Sequence, residues 1–319
     1  MKTDFIKGLH HVTALASDTQ QNVNFYVGVL GLRLVKQTIN FDAPDVYHLY
    51  YGDYEGNPGT ILTFFPFPGS RRGKKGKGQL TYTAFSIGAD SLNYWMERLA
   101  AFAIDFEGPK TRFSETYIRF EDPDGMGVEL VANSLDTRKG WDSGAIPAEH
   151  ALKGFYGVNL LTHDPERTVQ MLTASLNHRL VTEQNGYLRF EVEGATVPGY
   201  VDVQMDQTAL RGAPGAGTVH HLAFATASDE SQLELREALL GQGVQPTPVL
   251  DRNYFHSIYF REPGGVLFEV ATNPPGFAVD EVQAQLGQSL KLPAWLESQR
   301  TGIQAGLPHF TIPTVFPQP

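Results

Sequence analysis

The stretch GLHHVTALASD at residues 8–18 returns as TVHHLAFATASD at residues 218–229, so that the same tandem histidine recurs at an offset of 210 (221 minus 11) with the same Ala-Ser-Asp ending. Each copy opens a β-like run and stops at a residue suited to cap a helix. A duplicated segment of this kind points to internal repeats, which decide the architecture before any single element does.

Working outward from the two copies, four segments share one order: a β-like run, an Asp- or Ser-capped amphipathic helix, then several further β-like runs. The first has the helix TQQNVNFYVGVL (19–30) and closes on NPGTILTFF (57–65). The second opens on LTYTAFSI (80–87), has SLNYWMERLAAF (91–102) and closes on DPDGMGVELVAN (122–133). The third opens on GFYGVNLLT (154–162), has DPERTVQMLTASL (164–176) and closes on VPGYVDVQM (197–205). The fourth follows the second histidine pair with ESQLELREALLGQG (230–243) and closes on EPGGVLFEVATN (262–273). Pro-Gly or Asp-Gly turns feeding alternating apolar residues mark the closing strands. Four βαβββ modules of about 50–60 residues predict an α+β fold in which modules pair and curl their sheets around shared cavities.

Strand geometry then selects among the histidines. Successive side chains alternate faces, so both members of a tandem pair cannot reach one centre from regular β structure. His221 shares a face with Ala223 and Ala225, opposite bulky Leu222 and Phe224, and His11 shares one with Thr13; the second histidine of each pair therefore faces the cavity. Glu269 lies in an apolar strand, where a buried carboxylate needs a cationic partner or a metal. At the histidine position the other two modules carry Thr83 and Gly157, and at the Glu269 position the other three carry Phe64, Glu129 and Gln204. Pairing modules one and four collects His11, His221 and Glu269; pairing two and three leaves a cavity without histidine; no pairing of adjacent modules brings two imidazoles and a carboxylate together. The expected organisation is a metal-binding pair, 8–66 with 218–273, a metal-free structural pair, 80–133 with 154–205, and a C-terminal extension, 274–319. Two histidines and one carboxylate form the facial triad of non-heme Fe(II) sites, which leaves positions open for substrate and O₂.

The bulk composition narrows the chemistry further. The chain of 319 residues contains no cysteine, which excludes disulfides, thiolate catalysis and Cys-ligated zinc. A formal net charge of −10 argues against a nucleic-acid surface. No apolar run approaches a membrane span and no signal-peptide core opens the chain, so a cytoplasmic location is expected. The basic run RRGKKGKG (71–78) lacks the context of a phosphate loop and reads as a solvated connector, or as a flap near a pocket.

The motifs GLHHVT, VYHLYYGD, GNPGTILTFFPFP, GKKGKG, VHHLAFA and DRNYFHSIYFREPGGVLFE make nearly the whole chain resemble the vicinal oxygen chelate superfamily, and within it the ring-cleaving dioxygenases that open hydroquinones, the 2,6-dichlorohydroquinone dioxygenase group. The resemblance implies Fe(II), sometimes Mn(II), held by His11, His221 and Glu269. It also implies roles beside the metal for His10, Thr13, His220, Arg252 and Tyr259. Alternation places His10 and His220 away from the metal unless a bulge swings them inward. Tyr259 lies on the strand face opposite Ile258 and Phe260, where its hydroxyl can reach the cavity, and an Arg252 guanidinium there could stabilise negative charge on a phenolate. His48 and Tyr50 occupy places equivalent to Ser257 and Tyr259 and are candidates to line the pocket. His150, His163, His178, His256 and His309 default to surface or loop.

The expected activity is Fe(II)-dependent insertion of O₂ beside a hydroxyl of a small aromatic diol, a hydroquinone first and a catechol second, with a His or Tyr as general acid. A glyoxalase-like lyase or isomerase would use a fourth protein ligand, and an aromatic-compound-binding resistance protein would lack the ligands. Replacing His11, His221 or Glu269 with alanine is expected to abolish metal binding and turnover, and Glu129→Ala to leave both intact. The expected partners are the aromatic substrate and O₂. The C-terminal extension, with Trp295, is expected to cover the pocket or to form a homo-oligomer contact.

Overall fold

A computed structural model describes residues 4–142, 146–206 and 208–314; the last five residues of the C-terminal extension lie outside them. In chain order, the first module supplies β1 (Ile6–Ala16), β2 (Arg33–Asn40), β3 (Ala43–Gly52) and β4 (Ile61–Pro66), and the second β5 (Gln79–Ile87), β6 (Phe106–Arg112), β7 (Glu115–Glu121) and β8 (Gly127–Ala132). The third supplies β9 (Phe155–Leu161), β10 (His178–Gln184), β11 (Tyr187–Val192) and β12 (Tyr200–Gln204), and the fourth β13 (Val219–Thr226), β14 (Leu250–Asp251), β15 (Phe255–Arg261) and β16 (Leu267–Pro275).

These strands form two eight-stranded mixed sheets with few helices, the curled half-barrels of the vicinal oxygen chelate fold. Their orders are β14-β15-β16-β13-β1-β4-β3-β2 and β10-β11-β12-β9-β5-β8-β7-β6. Within a module the opening strand runs parallel to the closing one, as in β1 with β4 and β13 with β16. Parallel neighbours need a crossover, which the helix after each opening strand provides. The four crossovers are α1 (Thr19–Val23, continued by a π-helical segment Asn24–Val29), α2 (Leu92–Ala101), α3 (Pro165–Ala174) and α4 (Asp229–Gly241). Asp18, Asp164 and Ser228 cap three of them, each accepting from the backbone N–H three residues on. Modules join at their opening strands, which pair antiparallel: His11 faces Ala223 and Thr13 faces His221, and in the second sheet Tyr82 faces Asn159 and Ala84 faces Gly157.

This register corrects three of the positional equivalences expected from sequence. The residue level with Glu269 is Thr63 in the first module and Asp202 in the third, not Phe64 and Gln204, because Glu269 pairs with Ala223, Thr63 with Thr13 and Asp202 with Asn159. The Pro-Gly turns used as anchors feed strands that begin at different distances beyond them, and a slip of one residue sends a side chain to the opposite face. Phe64 accordingly packs on the helix side, with its ring 4.5 Å from that of Tyr26. Tyr82, not Thr83, likewise stands at the place of His11, since Tyr82 pairs with Asn159 and Ala84 with Gly157 as His11 pairs with Ala223 and Thr13 with His221.

The basic connector is neither loose nor a flap. Residues 71–77 run alongside 210–216, the connector between modules three and four, through backbone bonds such as Lys74 N–H to the Ala213 carbonyl and back, both 2.8 Å. Gly76 permits this approach, since a Cβ there would lie 2.4 Å from the Leu210 carbonyl oxygen. The C-terminal extension turns back over the first module. Fully buried Lys36 on β2 binds Asp280 and Glu281 at 2.6 and 2.5 Å, and Trp295 meets Phe41 edge-on at 5.6 Å. Among the described residues no helix is long and apolar enough to cross a membrane.

Candidate metal centre

His11 on β1, His221 on β13 and Glu269 on β16 meet at the centre of the first sheet. His11 Nε2 lies 3.2 Å from His221 Nε2 and 3.2 Å from Glu269 Oε2, and His221 Nε2 lies 2.9 Å from the same oxygen. All three side chains are buried. Ligand bonds of about 2.1 Å at right angles would put neighbouring donor atoms about 3.0 Å apart, whereas tetrahedral angles would need about 3.4 Å. The observed triangle thus fits one octahedral face. Among the described residues this is the group of three or more His, Asp or Glu side chains arranged to hold an ion.

The tandem histidines have a physical reason. His10 Nδ1 sits 2.9 Å from His11 Nδ1, and His220 Nδ1 sits 2.8 Å from His221 Nδ1. When each inner histidine donates its Nδ1–H to its neighbour, its Nε2 presents a bare lone pair to the centre, the tautomer that a metal ligand needs. A register shift between Leu9 and His11 allows the two adjacent side chains to meet. Glu269 Oε1 accepts from Ser257 Oγ at 2.5 Å, while Oε2 has no hydrogen-bond donor. Two lone pairs and an unpartnered buried carboxylate oxygen converging within 3.2 Å repel one another unless a cation sits between them. When no cation is bound, burial would raise the Glu269 carboxyl, but charge shared with His11 and His221 holds it well below the usual range. Burial lowers His221, with Glu269 opposing.

Beside this centre lies a cavity of about 350 Å³. Phe41, Phe65, Phe67 and Phe255 give it aromatic walls, and His48, Tyr50, His220, Arg252 and Tyr259 add polar groups. Tyr259 lies level with Glu269 and its hydroxyl accepts from Arg252 Nε at 3.3 Å; Arg252 also approaches Asp42 at 3.4 Å. Burial, with Glu269 adding to it, pushes the Tyr259 hydroxyl well up, so it stays protonated. His10 and Thr13 do not line the cavity: His10 is buried against Phe255 at 5.0 Å, and Thr13 Oγ1 bonds Thr63 Oγ1 at 2.8 Å. Sequence reading missed Ser257, whose signal was a lone hydroxyl on the inward face of an apolar strand, and it missed the walls Phe41, Phe65, Phe67 and Phe255. His178, expected at the surface, is buried at the start of β10, where its Nδ1 pairs with the Leu176 carbonyl at 2.6 Å.

The second sheet answers the same electrostatic problem differently. Glu129 receives Arg112 at 2.7 Å and Arg119 at 2.5 Å, and Asp202 receives Arg189 at 2.7 Å. Arg119 and Arg189 occupy the positions of Tyr259, level with Glu129 and Asp202. Guanidinium groups here do what a bound cation would do in the first sheet. A larger cavity of about 780 Å³ opens at this end, but Arg189, Glu115 and Tyr156 at its wall bind one another.

A model of the Glyoxalase/Bleomycin resistance protein/Dioxygenase superfamily matches residues 8–130 and 154–270. MhqE of Bacillus subtilis (strain 168), provisionally named a ring-cleaving dioxygenase, is 44% identical over 97% of this chain and 99% of its own. The chlorohydroquinone/hydroquinone 1,2-dioxygenase of Sphingobium indicum is 35% identical over 92% of this chain and 93% of its own. A crystal structure of a provisionally named Bacillus subtilis dioxygenase superposes with a TM-score of 0.94 at 41% identity, covering 98% of this chain and all of that one. Glyoxalase I from Zea mays shares the fold at a TM-score of 0.63 and 16% identity, over 83% of this chain and 92% of its own. By module matches in both halves and by relatives that span it end to end, this chain belongs to the Glyoxalase/Bleomycin resistance protein/Dioxygenase superfamily.

Proposed function

We propose that the protein is an Fe(II)-dependent ring-cleaving dioxygenase acting on a hydroquinone, with His11, His221 and Glu269 as the metal ligands. On this reading, 8–66 with 218–273 form the metal-binding half, and 80–133 with 154–205 form a metal-free structural half. The observation that carries it is the facial triangle of donor atoms opening on an aromatic-walled cavity. The dioxygenase names of full-length relatives support the reaction class, and the Sphingobium relative supports the hydroquinone.

His11, His221 and Glu269 would hold a divalent iron here, and the chemistry it would supply is one-electron exchange between an ionised phenol and O₂. The chain supplies the remaining parts. Phe41, Phe65 and Phe255 bind the ring and exclude water. The Arg252 guanidinium favours the ionised form of the phenol, and Tyr259, held protonated, is placed to donate its proton as oxygen–oxygen cleavage develops charge. Mn(II) fits the same nitrogen and oxygen donors. Thr63, where a fourth ligand, a second carboxylate, would stand, supports an open triad over a four-ligand isomerase site.

Anaerobic loading with Fe(II), followed by O₂ uptake on hydroquinone and on catechol, tests the proposal. Uptake of one O₂ per hydroquinone with a ring-opened product is expected. Turnover of catechol alone, or of neither diol, overturns it.

A further inference from the structure

Two side chains in the cavity wall, His48 and Tyr50, have no part in the chemistry above. Tyr50 Oη lies 2.8 Å from His48 Nδ1, and His48 Nε2 lies 2.8 Å from Thr63 Oγ1, which in turn bonds Thr13. The imidazole is fixed at both nitrogens. The Tyr50 hydroxyl, with this one hydrogen bond, keeps a further hydrogen-bonding position.

Their place along the cavity gives that position a meaning. Tyr50 is level with Thr63, the counterpart of Glu269, whereas His48 is two residues further along β3, about 6.7 Å. Its ring lies 4.3 Å from that of Phe65, and the cavity extends the same way, past Leu15, Phe65 and Phe67. His48 therefore faces the substrate space, while its counterpart Ser257 supports the back of Glu269. Resting on the proposed hydroquinone reaction, we propose that the His48–Tyr50 pair is the specificity element that holds the second, para hydroxyl of the aromatic diol, with His48 aiming the Tyr50 hydroxyl at it. A para diol reaches the triad with one oxygen and spans the cavity with the other. An ortho diol presents both oxygens to the triad and leaves the pair unused.

The test is anaerobic binding, read as the ratio of dissociation constants for 4-methoxyphenol and hydroquinone, together with kcat/KM for hydroquinone and catechol. In the wild type, methylating the distal oxygen is expected to weaken binding about tenfold, the weight of one hydrogen bond in a dry site. In Tyr50→Phe and His48→Phe that ratio falls towards one, and kcat/KM for hydroquinone drops about tenfold or more relative to kcat/KM for catechol. His48→Gln, whose amide can still accept from Tyr50, restores most of the discrimination. If either phenylalanine variant is recovered unfolded, the other carries the test, since Tyr50→Phe removes only a hydroxyl. An unchanged ratio in a folded variant overturns the inference. A wild type that binds and turns over no hydroquinone overturns the underlying reaction instead.

Discussion

Glu269 and Glu129 stand at the same register position of their two sheets, level with Ala223 and Ala84, and both are fully buried, yet one faces two imidazoles and the other two guanidinium groups. Each carboxylate needs a cation, and in the second sheet the chain's own arginines supply it. Glu269→Ala should therefore lose the metal, giving near-zero iron per chain on Fe(II) loading. Glu129→Ala should keep one iron per folded chain but leave Arg119 without a carboxylate and Arg112 with only Asp202, 3.5 Å away, lowering stability by about 3–5 kcal/mol. Metal binding and turnover are expected to stay intact, and the cost falls on stability. Iron analysis with thermal unfolding separates the two outcomes, and full iron occupancy in Glu269→Ala would remove the proposed ligand.

In the proposed metal site Ser257 acts through Glu269. Its hydroxyl donates at 2.5 Å to the carboxylate oxygen pointing away from the imidazoles, which fixes the rotation of the group. Removing such an orienting partner commonly costs 10–100-fold in metal affinity. Ser257→Ala should raise the Fe(II) dissociation constant by about that factor while Ser257→Thr stays close to wild type, both measured by competition with a chelator.

How far the sequence could be read follows from what each residue announces. The fold class was legible because opening strands, capped helices and closing turns recur in order, and the tandem histidines marked two modules as partners in chemistry. The convergence of His11, His221 and Glu269 followed from alternation along strands, which survives errors in loop length. Thr63 and Asp202 were not legible, since Pro-Gly turns give no measure of the distance to the next paired residue. Nor were Arg112, Arg119 and Arg189: an arginine on a short polar strand looks solvated until the opposite strand delivers a carboxylate.

His178 is expected to give a pH dependence of stability separate from the candidate metal centre. Burial lowers its pKa from about 6.5 to about 4, with its hydrogen bond to the Leu176 carbonyl opposing. The unfolded chain therefore binds a proton between these values and the folded one does not, so stability present above pH 6.5 is lost as pH falls towards 4. The full loss is on the order of 3 kcal/mol. In metal-free protein, the gap in urea midpoint between wild type and His178→Leu should narrow from pH 7 to pH 4.5. A constant gap would assign the acid sensitivity elsewhere.

Thr63 is the residue on which the choice between oxygen chemistry and isomerase chemistry turns. It stands across β1 at Thr13, as Glu269 stands across β13 at Ala223, and is fully buried on the inner face. Its hydroxyl is held by Thr13 and His48 at 2.8 Å each, so it is occupied as a hydrogen-bonding group. A glutamate there would extend one carboxylate towards the centre from the side opposite Glu269, completing two histidines and two carboxylates and taking a position that substrate or O₂ would otherwise use. Thr63→Glu should hold divalent metal at least as tightly as the wild type, with proton release on binding, yet show O₂ uptake on hydroquinone lowered by two orders of magnitude or more. Metal titration and O₂ electrode measurements on the same preparation decide it, because an inserted glutamate that merely disrupts the wall would lower both. Undiminished O₂ uptake with bound iron would mean that this quadrant is not one of the positions the reaction needs.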